Sequence, residues 1–137
     1  MYKRKCNQLY YTNRHSCFLL QYHMVLVTKY RKPVLIGKIK DHVYKTIDDI
    51  FNDRGYNILE INGESDHIHI LFEAGPDMAP MEFVNVVKTK TARLVRRDLS
   101  DEVSKTYWKP VFWTDSYFIT TVGTNSKAVV QNYIQNQ

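Results

Sequence analysis

Two histidines one residue apart, His67 and His69, are the residues of this chain whose spacing most directly suggests chemistry. They lie in the apolar run DHIHILF, and alternate residues of a β-strand point to the same face of the sheet. Both imidazoles would therefore project together, while Ile68 and Ile70 would turn into a core. Two imidazoles on one face are half of a metal site, although such pairs are also common as structural residues.

The last segment of the chain, Ser126 to Gln137, has the residue types that could complete such a site. Tyr133 and Gln137 are four residues apart and would share one face of a helix. A tyrosine can act as a covalent nucleophile, and a glutamine carbonyl is a hard oxygen donor that suits Mg²⁺ or Mn²⁺. The hypothesis is that His67, His69 and Gln137 hold a metal that polarises a phosphodiester for attack by Tyr133.

Each of these residues also has a purely structural interpretation. Tyr133 could be a half-buried aromatic residue of an amphipathic helix, and Gln137 could belong to a fraying chain end. Asp66 could fix a turn or orient a neighbouring histidine. His23, on the first predicted strand, is expected to pack rather than to react.

The elements that must position these side chains follow the order strand, helix, strand, strand, helix, strand, helix. The predicted strands are 17–28, 56–62, 67–73 and 117–122, and the predicted helices are 39–54, 80–99 and 126–137. This order is the split βαβ pattern of ferredoxin-like folds. It predicts an α+β fold, βαββαβ, whose antiparallel sheet has two helices on one face. The extra C-terminal helix, which carries Tyr133, is the candidate to cover the histidine face.

The composition bounds the class of protein. The 137 residues suit one domain, 1–137, in which the polar, basic segment 1–16 is interpreted as a tail or arm. A formal charge of +5, from 19 Lys and Arg against 14 Asp and Glu, favours a polyanion partner such as nucleic acid. No apolar run approaches the length of a membrane span. Two cysteines match neither a zinc motif nor a disulfide framework, so a reducing intracellular setting is expected.

From about Tyr22 to Gln137 the chain resembles the single-tyrosine HUH transposases of small bacterial and archaeal insertion sequences. The resemblance is carried by an ordered set of short motifs: YH at 22–23, KYR at 29–31, DHIHIL at 66–71, KTKTAR at 88–93, FWTDSYF at 112–118 and YIQNQ at 133–137. The HxH motif alone is unspecific, whereas the full ordered set is highly specific. Thr89 stands where many relatives have glycine, and Ser65 where proline is common.

The resemblance implies a metal-dependent, single-strand DNA transposase or endonuclease that recognises imperfect hairpins at element ends. His67, His69 and Gln137 would hold Mg²⁺ or Mn²⁺, with Asp66 supporting the metal ligands. Tyr133 would cleave a DNA strand and leave a 5′-phosphotyrosine link and a free 3′-OH. That hydroxyl would later attack another such link, so that strands are exchanged without ATP. The family works as a homodimer, whose sites can combine the histidines of one subunit with the tyrosine helix of the other.

The basic and aromatic residues set the expected DNA contacts. Backbone phosphates are expected to bind basic residues of the first loop and the second helix: Lys29, Arg31, Lys88, Lys90 and Arg93. The aromatic residues could stack on extruded or single-stranded bases. The expected location is the cytoplasm, in association with the nucleoid. Two alternatives stay open: a protein that binds hairpin nucleic acid without cutting it, and a related HUH nuclease that acts on chromosomal repeats.

Overall fold

The computed structural model describes residues 3–5, 10–12, 17–122 and 126–136, with side chains described for 18–122 and 130–136. Its strands are β1 Lys3–Lys5, β2 Tyr10–Thr12, β3 Cys17–Phe18, β4 Leu20–Val27, β5 Asn57–Glu64, β6 His67–Ala74 and β7 Phe118–Thr121. Its helices are α1 Gly37–Arg54, α2 Pro80–Asp98, α3 Ser100–Ser104 and α4 Ser126–Gln135. A 3₁₀ turn spans Lys29–Arg31.

The main sheet is antiparallel and has the strand order β5-β6-β4-β7. Its core face packs against α1 and α2 through apolar residues that recur at helical spacing on each helix. Phe51 of α1, Phe72 of β6 and Phe83 of α2 meet there, with ring centroids 5.0 to 5.8 Å apart. The predicted ferredoxin-like α+β fold is confirmed, and β6 is one of its two central strands.

The predicted helices agree with the observed ones to within two residues, but several short elements were not anticipated. The predicted strand 17–28 is divided into β3 and β4, and α3 follows α2 directly. The segment 1–16, interpreted as a tail or arm, contains β1 and β2, which form a small antiparallel sheet with β3. Such short pairings leave little periodicity in the sequence from which they could be predicted.

The second face of the main sheet is covered in part by α4. Val130 of α4 is buried with Val25 and Val27 of β4, and the rings of Phe118 and Tyr133 pack against this cluster. The helix therefore lies on β4 and β7 and leaves the histidine-bearing part of β6 beside it. Within the described ranges, no helix combines the length and the apolar character needed to cross a membrane.

Candidate active site

Strand register brings carboxylate and amide side chains to the two histidines. On β5, Glu64 lies opposite His67 and Asn62 lies opposite His69. Directly opposite residues of an antiparallel pair project from the same face, so all four side chains share the face that α1 and α2 do not cover. The intervening Ile68 and Ile70 are fully buried in the core, as the period-two pattern predicts.

A cleft of about 450 Å³ lies between this face and α4. Its walls come from the sheet, from the KYR turn and from one side of α4: His23, Arg31, Glu60, Asn62, Glu64, His67, His69, Leu71, Val130, Gln131, Ile134 and Gln135. His67 is buried at its edge, and His69 is partly exposed. The cleft is thus polar on the sheet side and mixed on the helix side, and it is large enough for a phosphodiester group.

Asp66 holds His67 in one orientation. The Asp66 Oδ1 atom lies 2.9 Å from His67 Nδ1, while Arg31 donates from Nε to Asp66 Oδ2 at 2.8 Å. Burial alone would raise the pKa of the Asp66 carboxyl, but hydrogen bonds from His67 and Arg31 outweigh it and hold that pKa below its usual value. Because an ionised Asp66 accepts the proton of Nδ1, neutral His67 carries its lone pair on Nε2, which is the arrangement of a metal-ligating histidine.

His69 has a different partner, His23 of the neighbouring strand. The distance from His23 Nδ1 to His69 Nε2 is 2.7 Å, and the two rings stack with centroids 4.9 Å apart. Burial, followed by repulsion from His23, lowers the pKa of His69. His69 is therefore neutral at pH 7, which is the state that a metal ligand requires.

The contact between His23 and His69 was missed from the sequence. Val25 lies opposite His69, so His23, two residues earlier on β4, is the diagonal neighbour of His69 on the same face. Alternation along β4 would have placed His23 on this face. Only the register of β4 against β6 shows that the two imidazoles meet.

One cluster of described residues could hold a metal ion around His67. Ligand atoms of Glu64, Asp66 and His67 all lie within 4.8 Å of one another. Carboxylate oxygens suit both Mg²⁺ and Mn²⁺, so the carboxylates of this cluster fit the expected kind of ion. Glu64 was not anticipated. Gln137, the expected third ligand, lies outside the described residues.

Tyr133 does not line the histidine cleft. Its ring packs against Phe118 with centroids 4.8 Å apart, and its hydroxyl lies 3.4 Å from Ser116 Oγ. The neighbouring positions Ile134 and Gln135 face the cleft instead. The structure therefore brings His67, His69 and Asp66 together and places the tyrosine of the same chain over β7.

The five basic residues expected to contact DNA fall into two groups. Arg31 is engaged with Asp66, and Lys29 Nζ lies 3.4 Å from Asp115. Lys88 donates to the carbonyl oxygens of Thr114 at 2.6 Å and Ser116 at 3.3 Å, and burial lowers its pKa. These contacts link the KYR turn and α2 to Asp66 and to the loop residues 114–116. By contrast, Lys90 and Arg93 line an open surface of α2.

The sequence of this chain is similar to those of known transposases. The family model described as "Transposase IS200 like" matches residues 16–137. The ISDra2 transposase TnpA of Deinococcus radiodurans is 32% identical over 124 residues, covering 90% of this chain and 88% of that protein. The transposase for insertion sequence element IS200 of Salmonella typhimurium is 31% identical over 123 residues, covering 90% of this chain and 80% of that protein.

Two solved structures share the fold. A crystal structure of a Deinococcus radiodurans protein assigned as a transposase superposes with a TM-score of 0.82 at 28% identity, covering 92% of this chain and 96% of that one. The REP-associated tyrosine transposase bound to a REP hairpin has a TM-score of 0.55 at 8% identity, covering 91% and 74%, and so shows the fold alone. The match of residues 16–137 and the two transposases above 30% identity show that this chain belongs to the IS200-like transposase family.

Proposed function

We propose that this transposase cleaves and rejoins single-stranded DNA at insertion-sequence ends through a 5′-phosphotyrosine on Tyr133. The observation that carries the proposal is the pair His67 and His69, one oriented by Asp66 and the other kept neutral, in a cleft beside the tyrosine helix. Family membership supports the reaction class, DNA cleavage and rejoining. The histidine cleft supports a metal-dependent route to it.

The metal site is part of the proposal. Nε2 of His67 would be one ligand, His69 and Gln137 would be others, and Glu64 is a further donor within reach of the His67 group. A bound Mg²⁺ or Mn²⁺ would polarise the scissile phosphate and offset its developing charge. His69 would have to give up its hydrogen bond to His23 to coordinate through Nε2, or coordinate through its other ring nitrogen.

The chemistry assigned to Tyr133 is a balanced exchange at phosphorus. Its phenolic oxygen attacks the phosphodiester, the bond to the 3′ oxygen breaks, and the leaving 3′ oxygen is protonated while the phenol loses its proton. The 5′ end stays on the tyrosine. A phenolate is a better leaving group than a sugar alkoxide, because phenols are stronger acids than alcohols. A 3′-OH from another strand can therefore reverse the step and rejoin DNA without ATP.

Tyr133 must reach a histidine cleft from its place over β7. Among the described residues, α4 is held by Val130 and Ile134 against the valines of β4, by the stack of Tyr133 on Phe118 and by one 3.4 Å hydrogen bond. With these contacts in place, Tyr133 is not among the residues that line the cleft of its own chain. We therefore include a homodimer in the proposal, in which the tyrosine helix of one subunit can serve the histidines of the other.

Hairpin DNA is the proposed substrate. The distant structural relative is a tyrosine transposase bound to a REP hairpin, and this chain has a formal charge of +5, which favours a polyanion. Lys90 and Arg93, exposed or partly exposed on α2, are the basic residues best placed to meet backbone phosphates. The other three would act mainly by positioning loops.

The test is incubation with single-stranded hairpin oligonucleotides from the element ends, with Mg²⁺ or Mn²⁺, followed by a denaturing gel. The wild-type protein should form a covalent adduct and release a 3′-OH product. Tyr133→Phe should bind the hairpin without forming the adduct, whereas Tyr44→Phe, on the opposite side of the fold in α1, should behave as wild type. An adduct in Tyr133→Phe rejects the nucleophile, and full cleavage in excess chelator rejects the metal.

The same gel separates the alternatives. Tight binding of the hairpin by the wild-type protein without any adduct would identify a binding protein that does not cut. Cleavage of chromosomal repeat hairpins in preference to element ends would identify a nuclease that acts on repeats. The proposal requires cleavage of the element ends.

A further inference from the structure

A strained turn projects an aromatic ring next to the candidate site. Tyr30 (φ 57°, ψ 17°) and Arg31 (φ 54°) are consecutive left-handed residues and neither is glycine. Such backbone persists only where its surroundings impose it. Here the Lys29 amide donates to the Phe112 carbonyl at 2.8 Å, and Tyr107 donates its hydroxyl to the Lys29 carbonyl at 2.6 Å. The result is a Tyr30 side chain that is 66% exposed.

A second exposed ring, in the loop after α3, lies across a groove from Tyr30. Trp108 is 84% exposed, although its neighbour Tyr107 is buried. The groove between them has a volume of about 250 Å³ and is lined by Tyr30, Lys32, Thr106, Tyr107, Trp108, Lys109 and Val111. We call it the Tyr30–Trp108 groove. It has two exposed planar rings, one buried ring (Tyr107), two lysines and, among these described lining residues, no carboxylate.

The charge of the groove limits the class of ligand. Lys109 Nζ lies 5.0 Å from the centroid of the Trp108 ring, and Lys29 Nζ lies 5.5 Å from that of Tyr30. Aromatic faces beside ammonium groups match a flat base joined to an anionic phosphate. The volume suits one nucleotide and not a duplex.

We infer that the Tyr30–Trp108 groove binds one unpaired base of the DNA strand, stacked on Trp108 beside Tyr30, with its phosphate near Lys32 and Lys109. This inference rests on the proposed function, because it assigns a subsite to the same DNA substrate. Aromatic stacking tolerates every base, so the groove selects an unpaired nucleotide rather than a sequence.

The groove is connected to the histidine cleft through one short chain of contacts. Arg31, the residue after Tyr30, holds Asp66, and Asp66 orients His67. A base held against Tyr30 therefore fixes the strand relative to the turn that supports the metal ligand. The consequence is that the groove positions the strand for cleavage and does not itself react.

The test is a cycle of protein and DNA changes, measured by fluorescence anisotropy in the Tyr133→Phe background so that cleavage plays no part. The DNA is a labelled hairpin with a single-stranded flank, either intact or with one abasic site scanned along its unpaired positions. Trp108→Ala should weaken binding of the intact hairpin about 5- to 150-fold, and an abasic site at one position should weaken binding equally. Trp108→Ala should have no further effect on that abasic DNA.

Control variants distinguish a loss of base stacking from a loss of protein stability. Trp108→Phe keeps a ring and should retain most of the affinity, while Ile36→Ala, which truncates another exposed apolar residue (60% exposed), should bind as the parent does. The thermal midpoint of Trp108→Ala should match that of the parent, because the ring is exposed.

Two results would overturn the inference, and they differ in what they say about function. Tight hairpin binding that neither Trp108→Ala nor any abasic position weakens rejects the groove and leaves the proposed function standing. Absence of hairpin binding by the parent protein rejects both.

Discussion

Gly63 is the residue whose substitution tests the geometry of the histidine strand most sharply. It pairs with Ile68 across the β5–β6 hairpin, and a Cβ atom at this position would lie 2.2 Å from the His67 carbonyl oxygen and 3.0 Å from the Ile68 Cα. The atoms in the way belong to the backbone, so no side-chain rotation relieves the overlap. Carbon–oxygen contacts across strands are normally about 3.3–3.6 Å, and β5 and β6 would have to separate by about 1 Å.

The cost of Gly63→Ala can be estimated from this overlap. Overpacking of this kind costs about 1–3 kcal/mol, and each weakened ladder hydrogen bond adds about 0.5–1.5 kcal/mol. Loss of chain entropy in the unfolded state offsets about 0.4–1 kcal/mol. With one weakened hydrogen bond, we expect the free energy of unfolding to fall by about 0.5–4 kcal/mol, centred at ~2 kcal/mol, against the 5–15 kcal/mol of a typical domain.

The assay is urea unfolding of Gly63→Ala beside Gly37→Ala. Gly37 has a φ of +53°, and no atom lies within 4 Å of the place that an added methyl group would take. An alanine at this position is therefore strained by about 1–2 kcal/mol but meets no overlap. The lower chain entropy of the unfolded state again offsets part of that strain. Gly63→Ala should be the less stable of the two variants. Equal stability of Gly63→Ala and wild type would refute the close approach of β5 to His67.

Three further predictions follow from contacts around the site. Asp66→Asn removes the charge that orients His67, so the affinity for Mn²⁺ measured by calorimetry should fall about 10- to 100-fold; unchanged affinity would mean that the carboxylate plays no such part. Trp113→Phe removes the buried, 2.8 Å hydrogen bond from the indole nitrogen to Thr91 Oγ1, so urea unfolding should show that the free energy of unfolding falls by about 1–3 kcal/mol. A variant as stable as the wild type would contradict this. Because burial lowers the pKa of His69 from its usual 6.5, the unfolded state binds more protons below about pH 6.5, and stability should fall as the pH drops through that range. His69→Gln should show a shallower decline, and an identical pH profile would disprove the assigned pKa shift.

The sequence was most informative where local periodicity decides the structure. Alternation along β6 placed Ile68 and Ile70 in the core and the histidines on the other face, and helical spacing gave the two core helices. The aspartate before His67 was recognisable as an orienting residue because it is adjacent in sequence. These features depend on neighbours along the chain, and pattern captures such neighbours.

Contacts that depend on strand register or on the packing of distant segments could not be predicted from sequence periodicity. Glu64 meets His67, and His23 meets His69, only because β5 and β4 pair with β6 in one particular register. The left-handed turn at Tyr30 is imposed by distant partners at Tyr107 and Phe112. In the sequence, Lys88 is typical of a solvated basic helix face, yet in the fold its ammonium group donates to the carbonyl oxygens of Thr114 and Ser116.

The position of Tyr133 is the largest difference between an expected site and the observed arrangement. Helical spacing indicated a nucleophile on α4, but it did not indicate which side of the helix would face the sheet. In this chain the ring rests on Phe118, while Ile134 and Gln135 line the cleft. Mixing His67→Ala with Tyr133→Phe tests a composite site, since restored cleavage would require the tyrosine and the histidines to come from different subunits.

The most direct test of the central claim is to identify the amino acid that becomes linked to DNA. The wild-type protein would be incubated with a hairpin substrate and Mn²⁺, digested with protease and nuclease, and analysed by mass spectrometry. We predict a single nucleotide-bearing peptide, modified at Tyr133, that is lost in a chelator and in His67→Ala. A nucleotide on any other residue, or DNA cleaved without any linked peptide, would contradict the proposed mechanism.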